Sequence, residues 1–354
     1  MIRVLELFAG IGACSKALER LGIEHKIVDA VEIDKYAIQA FNAIHNTNFE
    51  PQDITTWDKD IKVDLIMHCS PCQDFSMAGR QAGGDKGSGT RSSLMYETIR
   101  IVDKLHPKYV IWENVKNLLS KNHRHNFDNY LETMKGLGYV SYYQVLNAKD
   151  YGIPQNRERV FTVSIREDVW DKMDNQFNFP SPFRLDERLK DFLEDDVDEK
   201  YLLSDRQLLG MLNTNYNSYK LSTNLKNGDS IVNCIKVRFE GNPQLIPVKT
   251  ANKKGYDFAT EGDGIDLQYP NSKTRRGRVR HGVCKTLMCS DLMGVVENYR
   301  IRKLTPKECW RLMGFDDRDF DKAKATGLSN TQLYKQAGNS IVVDVIQLIL
   351  KELL

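Results

Sequence analysis

Apolar positions in the first half of the chain follow two alternating spacings, one typical of buried strands and one typical of amphipathic helices. Short apolar runs predict strands at residues 3–7, 25–33, 63–69, 109–115, 139–146 and 159–165. Apolar positions three and four residues apart predict helices at residues 13–21, 35–45, 94–105 and 127–137. This alternation is typical of an α/β fold, so we expect a mostly parallel, doubly wound sheet with helices on both faces.

The pattern changes after residue 166. Residues 180–183 resemble a linker, and the acidic, amphipathic residues 186–200 predict a helix with a solvated face. From residue 204 to about residue 298 the segments are short and rich in Asn, Lys and Gly, which indicates a second, smaller and irregular domain. A helix start is predicted from the spacing of Thr305, Pro306 and Glu308, with Gly314 ending that helix, and residues 341–354 predict a buried helix. We therefore expect one domain from residues 1–180 and 331–354, and a second from residues 181–330.

Composition adds limits on the class of protein. The 354 residues suffice for about two domains, and 41% hydrophobic with 28% charged residues is typical of a soluble globular protein. A net charge of +2 does not by itself indicate nucleic-acid binding, so such an activity would require a local basic patch. We expect no membrane span, since no apolar run approaches about 20 residues, and no secretory signal. Seven cysteines, an odd number, favour a reducing compartment such as the cytoplasm over a disulfide framework.

A glycine-rich turn, Phe8-Ala-Gly-Ile-Gly, links the first predicted strand to the first predicted helix. Glycines there let the backbone approach a ligand closely, although Ser15 stands where the dinucleotide fingerprint has its third glycine. Glu32 follows about 20 residues later, where an acid binds a ribose in this topology, unless it merely starts the next helix. Together these residues predict a nucleotide-like cofactor, and Asp53 offers a further acceptor suited to an exocyclic amine.

Ser70-Pro-Cys-Gln stands at the carboxyl end of the predicted strand 63–69, where parallel sheets bind ligands. Cys72 lies beyond the strand and is free to react, whereas Cys69 is predicted to face the packed interior. The CxxC spacing also fits a redox pair or half of a zinc site, but no second CxxC or paired His motif follows. Residues 77–93, with five glycines, predict a functional loop, a tolerated surface insertion being the alternative.

Charged side chains follow two more of the predicted strands. Glu113 ends an apolar strand, where desolvation would raise its pKa and let it act as an acid, an ordinary helix cap being the alternative. Arg157 and Arg159 lie on the same side of the coming strand and suit fixed recognition of oxygens, unless they form a surface ladder with Glu158.

These motifs, in order along the chain, closely resemble the motif series of the DNA cytosine-5 methyltransferases of bacterial and phage modification systems. The resemblance spans residues 4 to about 350, and only residues 186–282 carry no strong motif. It is carried by the segments Phe8–Ala13, Glu32, Asp53, Ser70–Ser76, Glu113–Val115, Gln155–Phe161 and Gln336-Ala-Gly-Asn-Ser-Ile. The family often has Asp where this chain has Glu6 and an aromatic where it has Ile33. The resemblance implies a Rossmann-like domain that uses S-adenosyl-L-methionine, forms S-adenosyl-L-homocysteine and needs no metal, plus a target-recognition domain.

By position, the resemblance implies that Phe8 lies against the adenine, Glu32 binds the ribose, Ile33 packs on adenine and Asp53 accepts from its amine. The full set implied to bind cofactor is Phe8, Ala9, Gly10, Ile11, Gly12, Glu32, Ile33, Asp53, Ile54, Pro71, Leu94, Asn339 and Ser340.

The implied catalytic residues are Cys72 as nucleophile, Glu113 on cytosine N3 and N4, Arg159 on O2, and Arg157 in support. A thiolate that adds to C6 would activate C5 for methylation, and the cytosine must leave the duplex stack to be reached. Residues 273–281 form the densest basic run, with a solvated loop as the alternative to DNA contact. The residues expected to contact DNA are Gln73, Ser76, Arg91, Arg275, Arg276, Arg278, Arg280 and Thr286.

Four other functions were compared with this one. An RNA methyltransferase of the same fold usually differs around the Pro-Cys-Gln segment, which is intact here. A nicotinamide-dependent oxidoreductase would leave Cys72 and Glu113 without a role, and a non-catalytic DNA-binding module would not need them. Amino-group methylation is disfavoured because the Pro-Pro-Tyr/Phe motif is absent. We expect a monomer that acts on double-stranded DNA. The resemblance also allows a cognate restriction endonuclease that is a separate protein.

Overall fold

The computed structural model of the protein describes residues 1–71, 88–173, 176–212, 245–290, 292–298 and 300–354. A six-stranded sheet lies at its centre in the order β2-β1-β3-β4-β7-β5. Its strands are β1 (Ile2–Leu7), β2 (His25–Val31), β3 (Leu65–His68), β4 (Tyr109–Val115), β5 (Tyr139–Asn147) and β7 (Glu158–Arg166), with the short β6 (Gln155–Asn156) preceding β7. All six predicted strands are therefore confirmed.

Helices cover both faces of this sheet, as predicted. They are α1 (Ala13–Arg20), α2 (Lys35–His45), α3 (Met95–Leu105), α4 (Arg124–Gly136) and the short α5 (Glu167–Trp170). Alternate residues of the strands enter two cores: Val4 and Ile111 pack in the core that includes α1, and Leu5 and Trp112 pack in the core that includes α3 and α4. This period of two explains why the central strands read as continuous apolar runs.

One strand of the sheet is reversed. The pairs β1–β2, β1–β3 and β3–β4 are parallel, whereas β7 is antiparallel to both β4 and β5. Because β7 runs backwards, its first residues lie at the same sheet edge as the last residues of β4, with Arg159 opposite Val115. The reversed direction of β7 therefore places Arg159, near the start of β7, close to Glu113, near the end of β4.

The C-terminal helices complete the same domain. They are α7 (Pro306–Arg311), α8 (Asp317–Ala325), α9 (Asn330–Asn339) and α10 (Val343–Leu353), and α10 packs on α1 while α8 packs on α2. The predicted start of α7 is confirmed, since Thr305 Oγ1 accepts from Glu308 N–H at 3.2 Å and Glu308 Oε2 accepts from Thr305 N–H at 2.8 Å. Helix α8 is tied to α1 by the buried Lys16, whose Nζ lies 2.8 Å from Asp316 and 3.0 Å from Asp319.

A smaller, mainly antiparallel region has its own apolar core, which includes Leu208, Ile246, Ile265 and Val296. It contains the sheet β11-β10-β13-β14 and the hairpin β8–β9. The bounds are α6 (Asp205–Met211), β8 (Ile246–Lys249), β9 (Tyr256–Ala259), β10 (Gly264–Asp266), β11 (Val279–Arg280), β12 (Cys284–Lys285), β13 (Met293–Glu297) and β14 (Arg300–Lys303). Strand β12 pairs in parallel with β6 and so joins this region to the first domain.

The predicted helix at residues 186–200 is wrong. The structure has two short 3₁₀ turns there, Leu189–Phe192 and Glu199–Tyr201. Leu189 is fully buried in the main core, and Arg188 Nη1 donates to the carbonyl oxygens of Leu185 and Glu187. The segment follows the surface of the first domain, so its acidic side chains do not form one helix face. None of the described helices is long and apolar enough to cross a membrane.

Candidate active site

The turn between β1 and α1 has an unusual backbone. Phe8, Gly10 and Gly12 have positive φ angles of 53°, 55° and 81°. A Cβ at Gly12 would lie 2.1 Å from His45 Nε2, so only glycine fits. A Cβ at Gly10 would meet nothing within 4 Å, which leaves open space beside the backbone of this turn. Gly12 therefore serves the packing of α1 on α2, and Gly10 leaves room for a ligand.

Glu32 is hydrogen-bonded to the turn from the end of β2. Its Oε2 accepts from Gly10 N–H at 3.0 Å, and its Oε1 accepts from Asp34 N–H at 2.8 Å. Burial raises the pKa of Glu32 above its ordinary value. Ile33 is 71% exposed, an unusual degree for an aliphatic side chain, and it follows the half-buried Glu32. Asp53 is exposed and its Oδ1 accepts from Thr55, at the start of a turn.

Both ends of the chain form the wall of one pocket. Residues from β1 and its turn line it together with Cys69 and the segment after α9, and Glu6 lies at its base. The lining residues are Glu6, Leu7, Phe8, Ala9, Gly10, Ala13, Met67, Cys69, Asn339, Ser340 and Ile341. Five of them, Phe8, Ala9, Gly10, Asn339 and Ser340, belong to the predicted cofactor set. Of the rest of that set, Ile11, Gly12 and Ile54 are packed in the interior, and Pro71 and Leu94 are half-buried.

Glu113 and Arg159 form an ion pair at the carboxyl edge of the sheet. Glu113 is 3% exposed, and Arg159 Nε lies 2.9 Å from its Oε1. This contact lacks the alignment of a hydrogen bond, so within the described part of the chain Glu113 Oε1 accepts none. Cys69 Sγ donates to Glu113 Oε2 at 2.9 Å. Cys69 is half-buried: it packs against the main core, as predicted, and it also lines the pocket.

The segment that leads to Cys72 is anchored at its start. Trp112 Nε1 donates to Ser70 Oγ at 3.1 Å, and Asn114 Nδ2 donates to the Ser70 carbonyl oxygen at 3.4 Å. The residues before and after Glu113 therefore position the chain two residues ahead of Cys72. Three predicted site residues, Cys72, Gln73 and Ser76, lie outside the described residues.

Arg157 is buried and binds backbone oxygens. Its guanidinium donates to the carbonyl oxygens of Ser340 at 2.7 Å, Gly338 at 3.2 Å and Leu287 at 3.4 Å. These contacts hold the C-terminal wall of the pocket against β7. Arg157 also lines a small cavity with Glu113 and Arg159, and its supporting role in catalysis stays a prediction.

We call residues 284–289 the strap, because they connect the smaller region to the active site. Thr286 Oγ1 donates to the carbonyl oxygen of Asn156 at 2.7 Å, and Leu287 N–H donates to Gln155 Oε1 at 3.1 Å. Cys289 Sγ donates to Asn339 Oδ1 at 2.8 Å. The hydroxyl proton of Thr286 is therefore engaged within the protein, and the expected DNA contact of this residue stays a prediction.

Two arginines of the basic run are engaged inside the smaller region. Arg278 is 1% exposed and its guanidinium donates to the carbonyl oxygens of Asp266, Gln268 and Tyr269. Arg275 Nη1 lies 2.7 Å from Asp266 Oδ2. The buried Arg278 is therefore not available for the predicted DNA contact, because its guanidinium holds the loop between β10 and β11. Arg275 keeps part of its side chain at the surface, so its DNA contact stays a prediction.

Other predicted DNA-contact residues remain at the surface. Arg276 is exposed and Arg280 is half-buried, and Arg91 is exposed at the start of the 3₁₀ turn Arg91–Leu94. Tyr269 is 72% exposed. Its carbonyl oxygen accepts a hydrogen bond from Arg278, and the Arg275 guanidinium lies over its ring. Among the described residues, no three His, Cys, Asp or Glu side chains are grouped to hold a metal ion.

Two contacts at the site were not predicted from the sequence, that of Cys69 with Glu113 and that of Cys289 with Asn339. For Cys69 a signal existed: β3 and β4 pair in parallel with His68 opposite Trp112, so the next residues of the two strands, Cys69 and Glu113, are neighbours. If the predicted strands 63–69 and 109–115 are aligned as parallel neighbours by the ends of their apolar runs, Cys69 and Glu113 fall side by side. For Cys289 we find no sequence signal, since its contact depends on how the strap returns to α9.

The fold and site define a class of protein first: an α/β enzyme with a pocket beside its glycine turn and a buried carboxylate–arginine pair at the carboxyl edge of the sheet. Comparison with known proteins defines the family. Residues 2–354 match the family described as C-5 cytosine-specific DNA methylase. The chain belongs to this family and is a DNA cytosine-5-methyltransferase, for which the family implies S-adenosyl-L-methionine as methyl donor.

Individual relatives cover nearly the whole chain. It is 33% identical to type II methyltransferase M2.ScrFI of Lactococcus lactis subsp. cremoris, over 100% of this chain and 99% of that protein. It is 32% identical to type II methyltransferase M.HhaI of Haemophilus parahaemolyticus, over 98% and 93%. It is also 32% identical to the orphan methyltransferase M.SPRI of Bacillus phage SPR, over 100% and 97%. A putative DNA modification methyltransferase encoded within an E. coli prophage shares the fold, with a TM-score of 0.64, 22% identity, and coverage of 100% of this chain and 98% of that chain.

Proposed function

We propose that this enzyme methylates C5 of a cytosine flipped out of double-stranded DNA, through a covalent bond between Cys72 Sγ and C6. The observation that carries the proposal is the Glu113–Arg159 ion pair beside a pocket formed by both ends of the chain. The segment that holds Cys72 leaves the sheet at that same edge, directly after the anchored Ser70. A nucleophile, an acid and a cation would thus meet at one pocket.

The pocket fits S-adenosyl-L-methionine. The space beside Gly10 admits a ligand close to the backbone, and Glu32 places carboxylate oxygens next to that space. The exposed Ile33 offers an apolar surface that an adenine ring would cover. Asn339 and Ser340 close the opposite wall. When bound, the cofactor supplies an electrophilic methyl group on a sulfonium.

The chemistry assigns each side chain a step. Cytosine C5 is a poor nucleophile, so the Cys72 thiolate first forms a bond to C6, and electron density moves toward N3 and C5. A proton delivered to N3 by Glu113 relieves the charge on the ring, while Arg159 holds O2. After C5 has accepted the methyl group, N3 returns its proton to Glu113. A base removes the C5 proton, and the electrons of that bond restore the C5–C6 double bond as Cys72 leaves with the electrons of the C6–S bond.

DNA would contact exposed cations of the smaller region. We propose a catalytic domain made of residues 1–180 and 331–354 together with helices α7 and α8, which pack in the main core, and a target-recognition region within residues 181–330 that has its own core. In the latter, Arg276 and Lys273 are exposed cations near the projecting Tyr269. Such cations bind phosphates and make affinity salt-dependent. A monomeric enzyme, a cognate endonuclease and a cytoplasmic location stay predictions.

Replacement of the nucleophile tests the mechanism. Cys72→Ser should abolish methyl transfer, while cofactor binding and the melting temperature stay close to those of the wild type. Duplex DNA with 5-fluorocytosine at the target should trap a covalent complex with the wild-type enzyme and cofactor, because fluorine cannot leave as a proton. Full activity of the variant, or active enzyme that forms no trapped complex, would contradict attack on C6. Bisulfite sequencing of DNA from expressing cells would show activity and identify the target sequence.

A further inference from the structure

Cys69 occupies a place between the cofactor pocket and the catalytic acid. It is the first residue after β3, it lines the pocket with Gly10 and Asn339, and its Sγ lies 2.9 Å from Glu113 Oε2. The thiol therefore touches the acid directly and faces the cavity where the methyl donor would sit.

The two oxygens of Glu113 have different partners. Arg159 Nε lies 2.9 Å from Oε1 in an ion pair without hydrogen-bond alignment, and the Cys69 thiol donates to Oε2. The terminal torsion of a glutamate is broad, so one contact alone leaves the carboxyl plane free to turn. With both oxygens contacted, the plane is fixed, and Oε1 keeps acceptor capacity for a group on the base.

We propose that Cys69 is a positioning residue for methyl transfer, whose thiol fixes the Glu113 carboxyl group in the orientation that engages the flipped cytosine. This inference rests on the proposed role of Glu113. The thiol keeps its proton throughout and forms no covalent bond. A serine hydroxyl can donate to the same oxygen, whereas alanine cannot, so the pair of substitutions separates hydrogen bonding from simple occupation of space.

The test compares steady-state kinetics of Cys69→Ala and Cys69→Ser with the wild type, with KM measured for both DNA and cofactor. Loss of one hydrogen bond to the carboxyl group should lower kcat of Cys69→Ala about three- to tenfold, with a smaller change in either KM. Cys69→Ser should recover most of this loss. Cys309→Ala, in helix α7, is the control for removal of a thiol elsewhere.

Two results would overturn the inference. One is a Cys69→Ala enzyme with wild-type kcat, and the other is a Cys69→Ser enzyme as slow as Cys69→Ala. Melting temperatures and cofactor binding, measured on the same preparations, show whether each variant is folded. Since the wild-type enzyme is assayed alongside, its failure to methylate or to trap 5-fluorocytosine would contradict the proposed function, whereas normal wild-type activity with an unaffected Cys69→Ala contradicts only the role of Cys69.

Discussion

Glu6 makes the stability of this enzyme depend on pH in an unusual direction. It lies on β1 at the base of the cofactor pocket, 3% exposed, and its Oε1 accepts hydrogen bonds from Ser15 N–H at 3.0 Å and from the Ser15 hydroxyl. Burial raises the pKa of Glu6 from its ordinary value of 4.5 to about 7, against the opposing effect of the Ser15 hydrogen bonds. The folded protein therefore binds this proton more tightly than the unfolded chain.

Because protonation of Glu6 is linked to folding, its raised pKa sets the sign and the size of the change in stability with pH. As pH rises from about 4.5 to about 7, the unfolded chain loses the proton first, so the free energy of unfolding decreases, and above pH 7 the loss is complete. Each tenfold difference in proton affinity corresponds to about 1.4 kcal/mol, so the full loss amounts to about 3 kcal/mol. Glu6→Gln keeps an acceptor for Ser15 and cannot ionise, so it should remove this loss.

The assay is thermal unfolding of the wild type and of Glu6→Gln, without cofactor, at pH 5 and at pH 8. Most of the loss falls between these values, and for a chain of this length it should separate the two melting temperatures by about 3 °C more at pH 8 than at pH 5. Glu50→Gln, at an exposed position, serves as control for loss of a carboxylate. A difference between wild type and Glu6→Gln that stays constant with pH, or that grows toward pH 5, would refute the reasoning.

Two further predictions concern packing and DNA. Gly12→Ala should lower the free energy of unfolding by at least about 2 kcal/mol and weaken cofactor binding, because its Cβ would overlap His45. Gly22→Ala has a similar positive φ but open space, so calorimetry of both variants separates overlap from backbone strain, and equal losses would contradict the overlap. Arg278→Ala should lower the melting temperature, since it removes hydrogen bonds from a buried guanidinium to three carbonyl groups. Arg276→Ala should leave the melting temperature unchanged and lower the slope of log K against log salt concentration for DNA binding by about one. A lower melting temperature for Arg276→Ala together with a lower salt slope for Arg278→Ala would contradict the structure.

The sequence predicted the elements whose signals are local. The start of α7 could be predicted because Thr305 and Glu308 bond to each other within one turn, and the central strands could be predicted because both of their faces are buried. Residues 186–200 were mispredicted as a helix because the pattern of charges does not reveal which other surface the segment will follow. Leu189 enters the main core from a 3₁₀ turn, a contact that local spacing does not encode.

The candidate site shows the same division. The order of motifs along the chain predicted that Phe8, Glu113, Arg159 and Asn339 belong together, and the structure brings Phe8 and Asn339 to one pocket and Glu113 to Arg159. Which arginines of residues 273–281 reach solvent could not be predicted. Backbone carbonyl groups carry no sequence signature, and three of them bind Arg278.

The pocket whose two walls come from distant parts of the sequence has a consequence for the order of folding. The glycine turn follows β1, whereas Asn339 and Ser340, which close the pocket, lie at the end of α9. Strands β1 to β4 can pair without the later helices, but the pocket cannot enclose the methyl donor until α10 has docked on α1, a contact between residues separated by most of the sequence. A partly folded enzyme that already holds Glu113 in the sheet would therefore not methylate DNA, so during refolding its activity should return no earlier than this long-range contact.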